Sequence, residues 1–115
     1  MDKPPRPELP PAPTMRDFQA YVHALEAWHG WLEVDLVHNC FLMGEEVGEL
    51  FKAVRRHLKY YEAAESPAAA DTRAHVAEEL VDVFNYLAAI ANRLDIDLEA
   101  AFRDKNTRNL DRTWG

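Results

Sequence analysis

An all-α fold is predicted for this chain of 115 residues by three features. Alanine and leucine number 29, against 14 for Val, Ile and Thr together, so good helix formers outnumber stiff β-branched residues two to one. Six of the seven prolines lie within residues 1–13 and only four glycines occur, which leaves the body almost free of helix breakers. Apolar residues then recur at three- and four-residue spacing along most of that body. The expected arrangement is a helical bundle of two long and two shorter helices, completed by oligomerisation.

Residues 1–13 (MDKPPRPELPPAP) read as a Pro-rich, extended and flexible tail. Thr14 is the expected N-cap of a first helix to about His29, with Phe18, Tyr21, Val22, Leu25 and Trp28 on one side and Gly30 as a break. A second helix is expected from Glu33 to Glu62, with Val37, Cys40, Met43, Val47, Leu50, Val54 and Leu58 on one stripe. Residues 63–70, with Ser66-Pro67, read as a loop. Asp71 or Thr72 is the expected cap of a third helix to Leu94, carrying Val76, Leu80, Val83, Leu87, Ile90 and Leu94. Asp97 is placed as N-cap of a fourth helix to Leu110, acidic near its start and basic near its end, and residues 111–115 are expected to fray.

Composition narrows the function classes. Twenty acidic and 13 basic side chains give a net charge of −7, which argues against a nucleic-acid partner. No apolar run approaches the roughly 20 residues of a membrane span, and the N-terminus lacks a signal-peptide core. The single cysteine, Cys40, excludes an internal disulfide and any zinc site needing several thiolates. A cytoplasmic location is expected.

Two matched segments carry the chemistry: Glu45-Glu46-Val47-Gly48-Glu49 and, 33 residues on, Glu78-Glu79-Leu80-Val81-Asp82. On a wheel at about 100° per residue, the carboxylates of each segment fall on one flank beside the apolar stripe. If the stripes pack together, two acidic edges converge at the rim of their interface. The i, i+3 pairs Glu46/Glu49 and Glu79/Asp82 can each reach a common ion. Gathered carboxylates must take up protons or be neutralised by a cation. Oxygen-only ligands suit Mg²⁺, with Mn²⁺ as the alternative, and such a site suits phosphoryl chemistry on a nucleotide. Setting aside Glu45, Glu46, Glu49, Glu78, Glu79 and Asp82 leaves 14 acidic against 13 basic residues, so nearly all the excess charge sits in these two segments.

The ordered set of E-x-x-E at Glu46/Glu49, E-x-x-D at Glu79/Asp82, an I-D-L turn at 96–98 and K-x-x-x-N-x-x-R at Lys105, Asn109 and Arg112 resembles the MazG-like all-α nucleoside triphosphate pyrophosphohydrolases. The similarity covers about residues 35–114, within a domain set at 14–115. It implies Glu46, Glu49, Glu79 and Asp82 as Mg²⁺ ligands, and Glu45 as a further ligand or the base for the attacking water. It implies Lys105 and Arg112 on phosphate oxygens and Asn109 on phosphate or sugar. The implied reaction cleaves a nucleoside triphosphate between its α and β phosphates, clearing nonstandard or surplus (d)NTPs. The absence of a G-x-x-x-x-G-K-[ST] loop agrees.

Tyr86, one turn beyond Asp82 on the acidic flank, is placed to stack on a base or sugar, and Asn85 to hydrogen-bond it. Trp28 and Trp31 read as core or subunit contact, Cys40 as a small core residue, and His75 as a surface histidine paired with Glu79. Phe41, Phe51, Phe84 and Phe102 exceed what one narrow seam needs, which predicts a homodimer or a tetramer. Alternatives are a phosphoribosyl-ATP pyrophosphohydrolase or dUTPase-like enzyme of the same superfamily, and a non-catalytic helical interaction module. A di-iron bundle is disfavoured, since Glu26/His29 and Asp35/His38 flank a helix break.

Overall fold

The computed structural model describes residues 2–59 and 69–113, which contain four helices and no strand. These are α1 (Met15–His29), α2 (Leu36–His57), α3 (Ala69–Arg93) and α4 (Leu98–Leu110). The chain divides into two compact units, one made of Met1–Val34 and Ala88–Gly115, the other of Asp35–Leu87. The all-α expectation holds. Among the described residues no helix is long and apolar enough to cross a membrane.

In the first unit, α1 starts with a capping box. The Thr14 hydroxyl accepts from Asp17 N at 3.2 Å, and the Asp17 carboxylate accepts from Thr14 N at 2.8 Å. Gly30 ends α1 at φ 76°, a left-handed conformation that costs glycine nothing. The small residues Ala88, Ala89 and Ala91 at the end of α3 are buried, as is Val22 of α1. Polar groups do much of the joining. The buried Gln19 amide donates to Asn92 Oδ1 (3.1 Å) and Ile96 O (2.8 Å) and accepts from Leu98 N (2.8 Å), so one side chain ties α1 to the end of α3 and the start of α4. Arg93 donates to both Glu26 carboxylate oxygens (2.7 and 3.2 Å) and to Val34 O (2.8 Å), fixing the turn after α1. Asp97 caps α4, as expected, and pairs with Arg16 at 2.7 Å.

In the second unit, α2 and the first part of α3 lie antiparallel. His57 Nδ1 meets Thr72 Oγ1 at 2.8 Å near one end, while Glu46 meets Glu79 and Asp82 further along. Three expectations need correction here. The second helix begins at Leu36, not Glu33, because Asp35 accepts from His38 N (2.8 Å) and so stands outside as its cap. It leaves helical geometry near Leu58, and Lys59 adopts φ 61°. The third helix begins at Ala69, so Asp71 and Thr72 lie inside its first turn, where Ala69 and Ala70 favour helix. The expected end at Glu62, residues 63–68 of the expected loop, and residues 114–115 lie outside the described residues.

The seam also differs from expectation. The buried line along α2 is Asn39 and Ala53 with half-buried Glu46 between them, at seven-residue spacing, and α3 contributes Thr72 and Glu79. The apolar stripe is only partly covered: Met43, Val47, Leu50, Val76, Val83 and Ile90 are half-buried, whereas Val37, Val54, Leu58, Leu80 and Leu87 are exposed, as is Cys40, which is therefore not a core residue. Phe41 and Phe51 are 70% and 67% exposed. Trp28 and Trp31 are exposed as well, with the Trp31 ring stacked on His29 at 4.3 Å.

Candidate active site

The site is built by helical spacing. Glu46 lies midway along α2, and Glu79 and Asp82, one turn apart on α3, face it across the antiparallel pair. One oxygen from each of Glu46, Glu79 and Asp82 lies within 4.8 Å of the others. Glu79 is 9% exposed, which makes it a buried carboxylate rather than one at a rim. Its Oε2 is buried with no hydrogen-bond partner. An unpaired buried acceptor is costly, so it marks a place where something else belongs.

Electrostatics support the same view. Burial pushes Glu46 above the ordinary glutamate range, with further pushes from a side-chain hydrogen bond with Glu79 and from the charges of Asp82, Glu79 and Glu49. Burial likewise raises Asp82, with help from Glu79 and Glu78. Like charge and desolvation both disfavour ionisation, and a divalent cation would reverse both effects. The donor set fits a hard cation, since it offers carboxylate oxygens and no nitrogen or sulfur.

The remaining predicted residues fall in several places. Glu45 and Glu49 are exposed on α2; Glu49 stands outside the close trio, although Glu46 feels its charge. Glu78 is exposed and lies 3.7 Å from His75 Nδ1. Tyr86 is half-buried one turn beyond Asp82 and engaged with a neighbour. Lys105, Asn109 and Arg112 belong to the other unit, where Lys105 and Arg112 are exposed. Asn109 donates to Asn106 Oδ1 at 3.2 Å, while its own Oδ1 is buried without a partner. With Phe102, Asn106 and Leu110 it lines an open cleft of about 410 Å³.

Helical spacing brings the carboxylates to one flank but carries no signal for the burial of Glu79. The available signal was the seven-residue line of small and polar residues, Asn39, Glu46 and Ala53, matched by Thr72 and Glu79. The apolar stripe runs beside that line and is only partly covered.

A comparison with curated proteins finds no match. The sequence model of the phosphoribosyl-ATP pyrophosphohydrolase family matches residues 30–109, which takes in α2, α3, nearly all of α4 and every carboxylate of the cluster. The chain therefore belongs to the phosphoribosyl-ATP pyrophosphohydrolase family, within the MazG-like all-α nucleoside triphosphate pyrophosphohydrolases, and is a hydrolase of phosphoric anhydrides.

Proposed function

We propose that the protein cleaves a nucleoside triphosphate between its α and β phosphates, giving the monophosphate and pyrophosphate, with Mg²⁺ or Mn²⁺ as cofactor. The observation that carries this is the trio Glu46, Glu79 and Asp82 with its buried, unpaired Glu79 oxygen. Glu49, one turn from Glu46, completes the ligand set. When bound, such an ion supplies charge neutralisation at the phosphates and acidifies water.

The chain's own groups would do the rest. Glu45 accepts a proton from the water that attacks the α-phosphorus, and the bond from that phosphorus to the α–β bridging oxygen breaks as pyrophosphate leaves. Lys105 and Arg112 offset phosphate charge, Asn109 donates to a phosphate or sugar oxygen, and Tyr86 stacks on the base. Phosphoribosyl-ATP, the compound in the family's name, heads the candidate substrates, followed by nonstandard or surplus (d)NTPs.

A homodimer or tetramer is part of the same proposal. Phe41, Phe51, Leu58, Leu80 and Val81 are large apolar side chains left exposed on the single chain, which supports their burial between copies. Light scattering at micromolar concentration should give a multiple of 13.2 kDa, and a lone 13.2 kDa species would contradict it. A cytoplasmic location agrees with a nucleotide substrate.

Pyrophosphate release tests the activity directly. A panel of phosphoribosyl-ATP and standard, deoxy and oxidised triphosphates is assayed with Mg²⁺, with Mn²⁺ and with EDTA. At least one substrate should turn over with an ion present, and Glu79→Gln should lower that rate about a thousandfold, the scale of removing one catalytic charge-stabilising contact. No ion-dependent release from any substrate, or full activity in Glu49→Ala, refutes the proposal.

A further inference from the structure

His75 lies one turn before Glu79 on α3 and is half-buried. Its Nε2 is 3.6 Å from Glu79 Oε1, and its Nδ1 is 3.7 Å from Glu78 Oε2. Among the described residues it is the one Lys, Arg or His side chain with a nitrogen within 4 Å of a carboxylate oxygen of Glu46, Glu79 or Asp82. The two oxygens of Glu79 thus have different surroundings: Oε1 faces an imidazole, whereas Oε2 is buried with no partner.

We infer that His75 is a positioning residue of the carboxylate site, holding Glu79 by Oε1 so that Oε2 is the oxygen offered to a divalent cation. This rests on the metal-site proposal above. The present separations are longer than a hydrogen bond, and closing Nε2 to Oε1 by about 0.6 Å brings the pair to ordinary N–H···O distance. Fixing a ligating side chain through its outer atom is worth about 10- to 100-fold in metal affinity, because the carboxylate no longer has to be ordered when the ion enters. Glu78 lies 3.7 Å from the other ring nitrogen, so Glu78, His75 and Glu79 share one helical face. Of the doubled glutamate in the second segment, Glu79 faces the cluster and Glu78 lies exposed outside it.

The test is Mn²⁺ binding by the whole chain at pH 8, read from the paramagnetic resonance signal of the free ion, without substrate. Wild type, His75→Ala, His75→Gln and Glu79→Gln are compared, and each ion-free protein is melted by circular dichroism. His75→Ala should weaken binding about tenfold or more, while His75→Gln, which keeps an N–H donor, stays within about threefold of wild type. The ion-free melting midpoints of the two His75 variants should agree with each other, so that folding does not account for the difference. Wild-type affinity in His75→Ala, or His75→Gln as weak as His75→Ala, overturns the positioning role while leaving the metal site intact. Absence of Mn²⁺ binding by wild type, or unchanged binding by Glu79→Gln, overturns the metal site itself and the positioning role with it.

Discussion

Two buried glutamates in this chain have opposite surroundings. Glu26, in the unit with α1 and α4, is 7% exposed and meets the Arg93 guanidinium through two hydrogen bonds. Glu79, in the unit with α2, is 9% exposed and meets Glu46 and Asp82. A buried charge that serves the fold finds an opposite charge and hydrogen bonds. A buried charge set against its own kind costs stability, and such costs cluster where chemistry is done. The contrast extends to the neighbours: Gln19 and Asn92 satisfy each other in the first unit, whereas Glu79 Oε2 is satisfied by nothing in the second.

The first half of the contrast can be broken by removing one partner. Arg93→Ala leaves Glu26 buried and unpaired and should cost about 3–5 kcal/mol, measured by urea unfolding. Replacing Glu26 and Arg93 together by methionine or leucine should restore most of that. A single-variant loss below about 1 kcal/mol would show that the pair does not hold the unit together.

The second half predicts a pH dependence of the opposite sign to ordinary acid denaturation. Glu46 and Asp82 bind protons more tightly in the folded chain than their reference values of 4.5 and 3.8. Their favourable contribution is therefore full below those reference values and is lost as pH rises through the raised ones. Asp97, held low chiefly by its hydrogen bond to Arg16, contributes in the other direction: its stabilisation is present above 3.8 and lost as pH falls through the lowered value. In EDTA, the melting midpoint of wild type relative to Glu46→Gln/Asp82→Asn should fall as pH rises from about 4.5 to 7. A difference that is flat with pH would mean that the trio is not strained by its charge.

The smallest effect sharpens the first unit. Thr14→Ala removes the hydroxyl half of the α1 capping box and should cost about 1 kcal/mol. In a domain of this size that lowers the melting midpoint by roughly 4–8 °C. An unchanged midpoint would show that the carboxylate of Asp17 suffices alone.

Local signals were the most legible in the sequence. Thr14, Gly30 and Asp97 mark helix ends by side-chain and backbone chemistry that acts within four residues, and each stands where it was expected. Asp71 and Thr72 look like caps of the third helix, yet the helix begins at Ala69 and Thr72 faces His57 across the unit. The expected stripe is covered only in part, because hydrophobic periodicity reports which face is apolar, not which face a single chain covers. Val37 and Cys40 carry that pattern and are exposed, whereas Met43, Val47 and Leu50 carry it and are half-buried. The Glu26–Arg93 pair spans 67 residues, and no helical wheel links positions so far apart. The acidic set was legible because like charges repeated in two helices are costly and therefore conspicuous, although the burial of Glu79 was not.

Melting of wild type and Glu46→Gln at pH 7, each with EDTA and with millimolar Mn²⁺, tests the central claim most directly. If the trio is kept against its own repulsion for a divalent ion, the two proteins exchange order. Glu46→Gln melts higher than wild type in EDTA, and wild type melts higher than Glu46→Gln in Mn²⁺. A variant that melts lower than wild type in EDTA, or a wild-type midpoint that Mn²⁺ does not raise, would contradict it.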